Sequence, residues 1–192
     1  MTGMTRTFLA LELPETIKAV LRRRTERLAH ALPEVRIVDV AGLHLTLAFL
    51  GELDNAHLAA ATEAAEEAAS AHAPITLRLA RLGTFGSARS PRVIWVGLAG
   101  EVAQLGALQS TLADALAARG FPREARPFAP HLTLARIKKP LSDDLLAALA
   151  RLQGEPAPDA AWQADALSVM KSELLRPAAL YTALSRWPLA AP

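Results

Sequence analysis

The chain has no cysteine, which excludes disulfides, cysteine-based zinc sites and thiol nucleophiles. That fits a reducing cytoplasm, the expected location. Apolar residues make up 52% of its 192 positions. Even so, no uninterrupted apolar run approaches the ~20 residues that a membrane-spanning helix needs, and no membrane partner is expected. Residues 1–20 interleave Arg6, Glu12, Glu15 and Lys18 with apolar positions and lack the basic-then-apolar layout of a secretion signal. A large excess of one charge is missing as well. The net charge of +2 is too small for wholesale coating of nucleic acid, and leaves room only for a local basic surface at Arg22, Arg23 and Arg24 or around Arg136, Lys138 and Lys139.

What the chain does have is a repeated tetrapeptide, His-Leu-Thr-Leu at 44–47 and again at 131–134, its histidines 87 residues apart. Apolar and polar residues alternate with period two in both copies, the signature of a strand. His44 and Thr46 then share one face while Leu45 and Leu47 point the other way, and the same holds for His131 and Thr133 against Leu132 and Leu134.

The surrounding pattern repeats too. Strand 5–13, a helix opened by Pro14 and Glu15 to about residue 31, strand 43–50, helix 55–71 and strand 74–82 form one unit. Strand 92–98, helix 101–119, strand 131–137, helix 142–152 with Ser142 as its N-cap, and strand 162–170 form a second. A further strand is expected at 179–186, and loops at 83–91 and 154–159, rich in Gly, Pro or small residues. The expectation is one domain over 1–192, with approximate repeats 5–83 and 91–170. Its fold would be α+β, bilobal and pseudo-twofold, with antiparallel-rich sheets lining a central cleft and helices outside.

An imidazole titrates nearest neutrality, so one can act as base while another acts as acid. Two of them on opposite sides of a phosphorus atom suit in-line displacement, and the threonine hydroxyls can donate to its non-bridging oxygens. Two His and two Thr make a poor set of metal ligands, so neither metal nor other cofactor is expected. Packing would explain the repeated leucines but not the histidines. His30, His57 and His72 lack a partner motif and read as surface residues; Trp95, Trp162 and Trp187 read as core or lobe-interface residues.

These residues resemble the 2H phosphoesterase superfamily, specifically its LigT-like branch of RNA 2′,3′-cyclic phosphodiesterases, also called 2′-5′ RNA ligases. The resemblance rests on the double motif and its flanks: 6–14 (Arg-Thr-Phe-Leu-Ala-Leu-Glu-Leu-Pro), 43–53 (Leu-His-Leu-Thr-Leu-Ala-Phe-Leu-Gly-Glu-Leu), 128–136 (Phe-Ala-Pro-His-Leu-Thr-Leu-Ala-Arg), 91–97 and the closing 181–189. It implies metal-independent hydrolysis of a terminal 2′,3′-cyclic phosphate to a 2′-phosphate, with reversible 2′-5′ ligation as the same chemistry run backwards. The residues alone leave open which histidine is acid and which is base. The resemblance makes His44 the proton donor and His131 the acceptor, with Thr46 and Thr133 on the phosphate and Arg136 neutralising its charge.

Strict alternation places Arg136 on the leucine face, so its role needs the strand to end or bulge there. Phe49 falls on that face too and is expected in the core, which leaves Phe128 as the aromatic contact for a base. Expected partners are RNA with cyclic phosphate ends or small cyclic nucleotides, bound by a monomer. Two alternatives are a phosphodiesterase for small cyclic phosphodiesters, such as ADP-ribose 1″,2″-cyclic phosphate, and a non-catalytic module that binds RNA ends.

Overall fold

Thr5–Glu12 (β1), whose apolar run Phe8, Leu9, Ala10 and Leu11 is buried on both faces, pairs antiparallel with the alternating start of His44–Leu53 (β3), with Leu11 opposite Leu45. Between them Glu15–Ala31 (α1) buries Ile17, Leu21 and Leu28 at helical spacing. The computed structural model describes residues 3–173 and 179–190. A short strand, Arg36–Ile37 (β2), and a 3-10 turn at Val40–Gly42 lead into β3. Next come Asn55–Ser70 (α2), Ile75–Ser87 (β4), Ser90–Gly100 (β5), Val102–Ala118 (α3) and His131–Arg136 (β6). Asp143–Gly154 (α4), Ala161–Ala164 (β7), Ala166–Glu173 (β8) and Leu180–Pro188 (β9) complete the described chain.

The strands form two antiparallel sheets, in the orders β3-β1-β8-β9 and β2-β6-β5-β4-β7. Each motif strand pairs with the first strand of its own repeat, β3 with β1 and β6 with β5. The closing strands do not stay at home. β4, which follows α2, pairs with β5, whereas β8 pairs with β1. The two repeats therefore exchange their last strands, and one continuous core runs from Leu9 through Leu77 and Leu134 to Leu189. The helices seal the outer faces: α3 buries Leu105, Leu108 and Leu112, while α2 presents a stripe of small residues at Ala61, Ala64, Ala65 and Ala68. Burying each large side chain contributes about 1.5–3 kcal/mol. Among the described residues no helix is long and apolar enough to cross a membrane.

Two segments differ from the sequence-based expectation. Residues 83–91, expected as a loop, are the outer half of the β4–β5 hairpin. Ser87 Oγ accepts from the backbone N–H of Ser90 at 3.0 Å and closes its turn, while Thr84 and Phe85 favour extended backbone over the neighbouring glycines. The expected strand 162–170 is two strands, broken at Asp165 where the chain leaves one sheet for the other.

Helix starts are capped as the side chains dictate. Asp54 Oδ1 accepts from the His57 backbone N–H at 2.8 Å, and Ser142 Oγ accepts from that of Leu145 at 3.4 Å. Asp54→Ala should cost about 1 kcal/mol, lowering the thermal midpoint by about 2–4 °C. An unchanged midpoint would show that this cap contributes nothing.

Candidate active site

Each motif histidine is fixed by its own backbone. His44 Nδ1 lies 2.8 Å from the carbonyl oxygen of Gly42, and His131 Nδ1 lies 2.7 Å from that of Ala129. A carbonyl can only accept, so Nδ1 carries the hydrogen in both rings and Nε2 is left for the cleft. Aromatic neighbours hold the ring planes. His44 stacks on Phe8 (centroids 4.4 Å apart) and meets Tyr181 edge-on at 5.0 Å. His131 meets Phe85 edge-on at 4.8 Å and lies near Trp95. Burial pulls the His44 pKa below the ordinary imidazole range; the Gly42 hydrogen bond and then Glu12 push it up, and Lys18 lowers it.

His44, Thr46, His131 and Thr133 line one cavity of about 680 Å³ between the two sheets. Arg136 lines it as well, because β6 bulges. The pairing steps from Trp95–Thr133 to Ile94–Ala135, which leaves Leu134 as an extra residue. Leu134 and Ala135 are both fully buried, and Arg136 returns to the face of the histidine. The same irregularity occurs in β3, where the pairing steps from Ala10–Thr46 to Leu9–Ala48 and Leu47 is the extra residue. Phe49 is thereby turned out of the core. It is 58% exposed, lines the cavity and carries the Arg6 guanidinium 4.9 Å from its ring centroid.

The structure thus brings together five of the six residues singled out from the sequence, and does not bring in Phe128. That ring is half-buried against the hydrophobic core and does not line the cavity. Phe8, Phe49 and Tyr181 supply the aromatic lining of the cleft, although strict alternation places Phe49 in the core. The missed signal is a spacing: Phe49 and Arg136 each stand five residues after their histidine, so an argument that admits a bulge for one must admit it for the other. Arg6, Arg36 and Lys138 add positive charge to the lining, against the carboxylate of Asp39, which accepts from the Ala41 backbone N–H. This arrangement can bind an anion and move protons on both sides of it.

The model of the 2′-5′ RNA ligase superfamily matches residues 13–175. The chain belongs to that superfamily. A protein of Methanothermobacter thermautotrophicus named RNA 2′,3′-cyclic phosphodiesterase is 29% identical over 178 residues, covering 92% of this chain and 95% of that one. One of the same name from Geobacillus stearothermophilus is 38% identical over 129 residues, 67% of this chain but 41% of its own length. The crystal structure of Escherichia coli LigT complexed with 3′-AMP superposes with a TM-score of 0.78 at 30% identity, covering 98% of this chain and 99% of LigT.

In this member of the superfamily two glycines make room for the rings beside the histidines. A Cβ on Gly83 would lie 2.2 Å from the Trp95 ring, and one on Gly42 would lie 2.8 Å from the Tyr181 ring. Gly83→Ala should therefore displace Trp95 and cost about 1–3 kcal/mol in denaturant unfolding. Stability equal to the parent would show that Trp95 is not seated as described.

Proposed function

We propose that this protein hydrolyses the 2′,3′-cyclic phosphate at an RNA end to a 2′-phosphate, using His44 and His131 as acid and base. The observation that carries the reading is the pair of imidazoles lining one cleft, each with Nδ1–H tied to a carbonyl so that Nε2 is left for a substrate. The names of the relatives and the nucleotide held by LigT support it.

In this reading His131 Nε2 takes a proton from water as the water oxygen attacks phosphorus. The bond from phosphorus to O3′ breaks, and His44 Nε2 delivers its proton to that oxygen. Thr46 and Thr133 donate to the non-bridging oxygens, Arg136 offsets the charge gathering there, and Phe49 offers its face to the terminal base. Each cycle leaves one proton on His131 and removes one from His44, so exchange with solvent resets the pair. With an RNA 5′-hydroxyl attacking phosphorus in place of water, the same displacement of O3′ forms a 2′-5′ linkage.

Incubation with an oligonucleotide ending in a 2′,3′-cyclic phosphate should yield a 2′-phosphate end, whereas a binding module would yield none. His44→Ala and His131→Ala should each lower kcat by about 10²–10⁴ with the circular dichroism spectrum preserved. Turnover surviving in both variants would end the reading.

The profile of kcat/KM against pH should be bell-shaped. The donor form of His44 is lost as pH rises through its pKa, which burial has lowered, so the alkaline limb should fall below the ordinary imidazole range. In kcat that limb should move to higher pH, because the bound phosphate anion stabilises the protonated ring. A profile flat through this range would rule out the acid–base pair.

A further inference from the structure

Pseudo-symmetry makes the two imidazoles near-equivalents, so a difference beside them must decide which one holds the proton. That difference lies one strand away. In the β1–β3 ladder the residue directly opposite His44 is Glu12, and in the β5–β6 ladder the residue directly opposite His131 is Gly97. Opposed residues of antiparallel strands share a face, with Cβ atoms ~4.5–5.5 Å apart. His44 therefore has a carboxylate for a neighbour where His131 has only a hydrogen atom. The asymmetry is built in on both sides. Glu12 Oε1 accepts from the buried Ser168 hydroxyl at 2.6 Å and lies 3.9 Å from Arg186 Nε. A Cβ on Gly97 would stand 3.3 Å from the Trp95 ring that flanks His131.

We propose that Glu12 is a positioning residue whose negative charge favours the protonated His44 ring, offsetting part of the cost of burying it, and so biases His44 rather than His131 toward the donor role. This rests on the phosphodiesterase reading above. Glu12 need not touch substrate to do so, and it does not line the cavity. Burial of the ring and Lys18 of α1 work against it. From β9 come Tyr181, edge-on to His44, and Arg186, which is shared between Glu12 and Asp165. Arg6 of β1 sits over Phe49. Across the cleft stand His131 and Arg136 of β6, with Arg36 and Asp39 from the segment before β3. Among the described residues Glu12 is the carboxylate in pairing register with His44; Asp39 is engaged at the Ala41 amide.

The test is the titration of the His44 ring by NMR, together with kcat/KM against pH, in Glu12→Gln and in Arg186→Gln. Glu12→Gln keeps an acceptor for Ser168 and removes only the charge. It should shift the His44 titration and the alkaline limb to lower pH, so that kcat/KM above the limb falls by about three- to tenfold, with the acidic limb and low-pH KM unchanged. Arg186→Gln frees the Glu12 charge and should shift both to higher pH. A purely structural Glu12 would move neither, and an unmoved His44 titration in both variants overturns the proposal. A shift of the acidic limb instead would make His44 the base and overturn it as well. Should Glu12→Gln fail to fold, the Arg186→Gln titration decides alone. The titration needs no turnover. Absence of product from the unmodified protein would overturn the phosphodiesterase reading and the donor role with it, whereas product alongside an unmoved titration overturns the role of Glu12 alone.

Discussion

A histidine on a strand can present either ring nitrogen to a ligand, and here the choice is made by one hydrogen bond used twice. The carbonyl two residues upstream, of Gly42 or of Ala129, takes the Nδ1 hydrogen and aims Nε2 across the cleft. Both carbonyls are held by local chain geometry. Gly42 closes a 3-10 turn capped by Asp39, and Ala129 precedes Pro130, which confines it to extended backbone. Catalytic geometry must be kept to within about half an ångström, and short-range backbone constraints achieve this more cheaply than long side-chain networks. The flanking aromatic rings then only need to hold the imidazole planes.

Aim is useful only if the two strands stay a fixed distance apart. A cleft between lobes invites hinge motion when its halves are joined by one surface contact. The exchange of β4 and β8 removes that freedom. Each sheet carries a strand of the other repeat, and the core continues through both. Opening the cleft would require breaking strand ladders, not sliding an interface, so the two imidazoles sit on the rigid part of the molecule.

Much of this was legible in the residues. Period-two alternation located the strands, helical spacing located α1 and α3, and the repeated His-x-Thr assigned four cleft residues. The failures share one cause: each depended on a partner strand. A bulge is a mismatch in pairing, two residues against one, and nothing in His-Leu-Thr-Leu-Ala-Phe reveals that Leu47 will have no opposite number. Phe49 was therefore assigned to the core and Phe128 to the cleft, the reverse of where they lie. Strand exchange is likewise a tertiary choice, invisible in the order of elements. The stretch 83–91 read as a loop because glycine and serine outweighed Thr84 and Phe85 until β5 was present to pair with them.

The departures from symmetry explain how a duplicated site can favour one binding direction. Bulges at equivalent places deliver Phe49 to the cleft from one motif and Arg136 from the other, an aromatic ring from one strand and a cation from its counterpart. A nucleotide with a cyclic phosphate, the substrate proposed above, offers a flat base for the one and charge for the other. In the proposed reaction, a nucleotide seated with its base toward Phe49 would bring its sugar to the strand of His44 and leave the phosphate open to water on the side of His131. The oxygen that departs belongs to the sugar, so the imidazole that must hold a proton is the one on the sugar side. Glu12 stands opposite that imidazole in its strand ladder, and Gly97 stands opposite the other. In the proposed reaction both asymmetries, one in the cleft lining and one in the strand behind it, favour the same direction of proton flow.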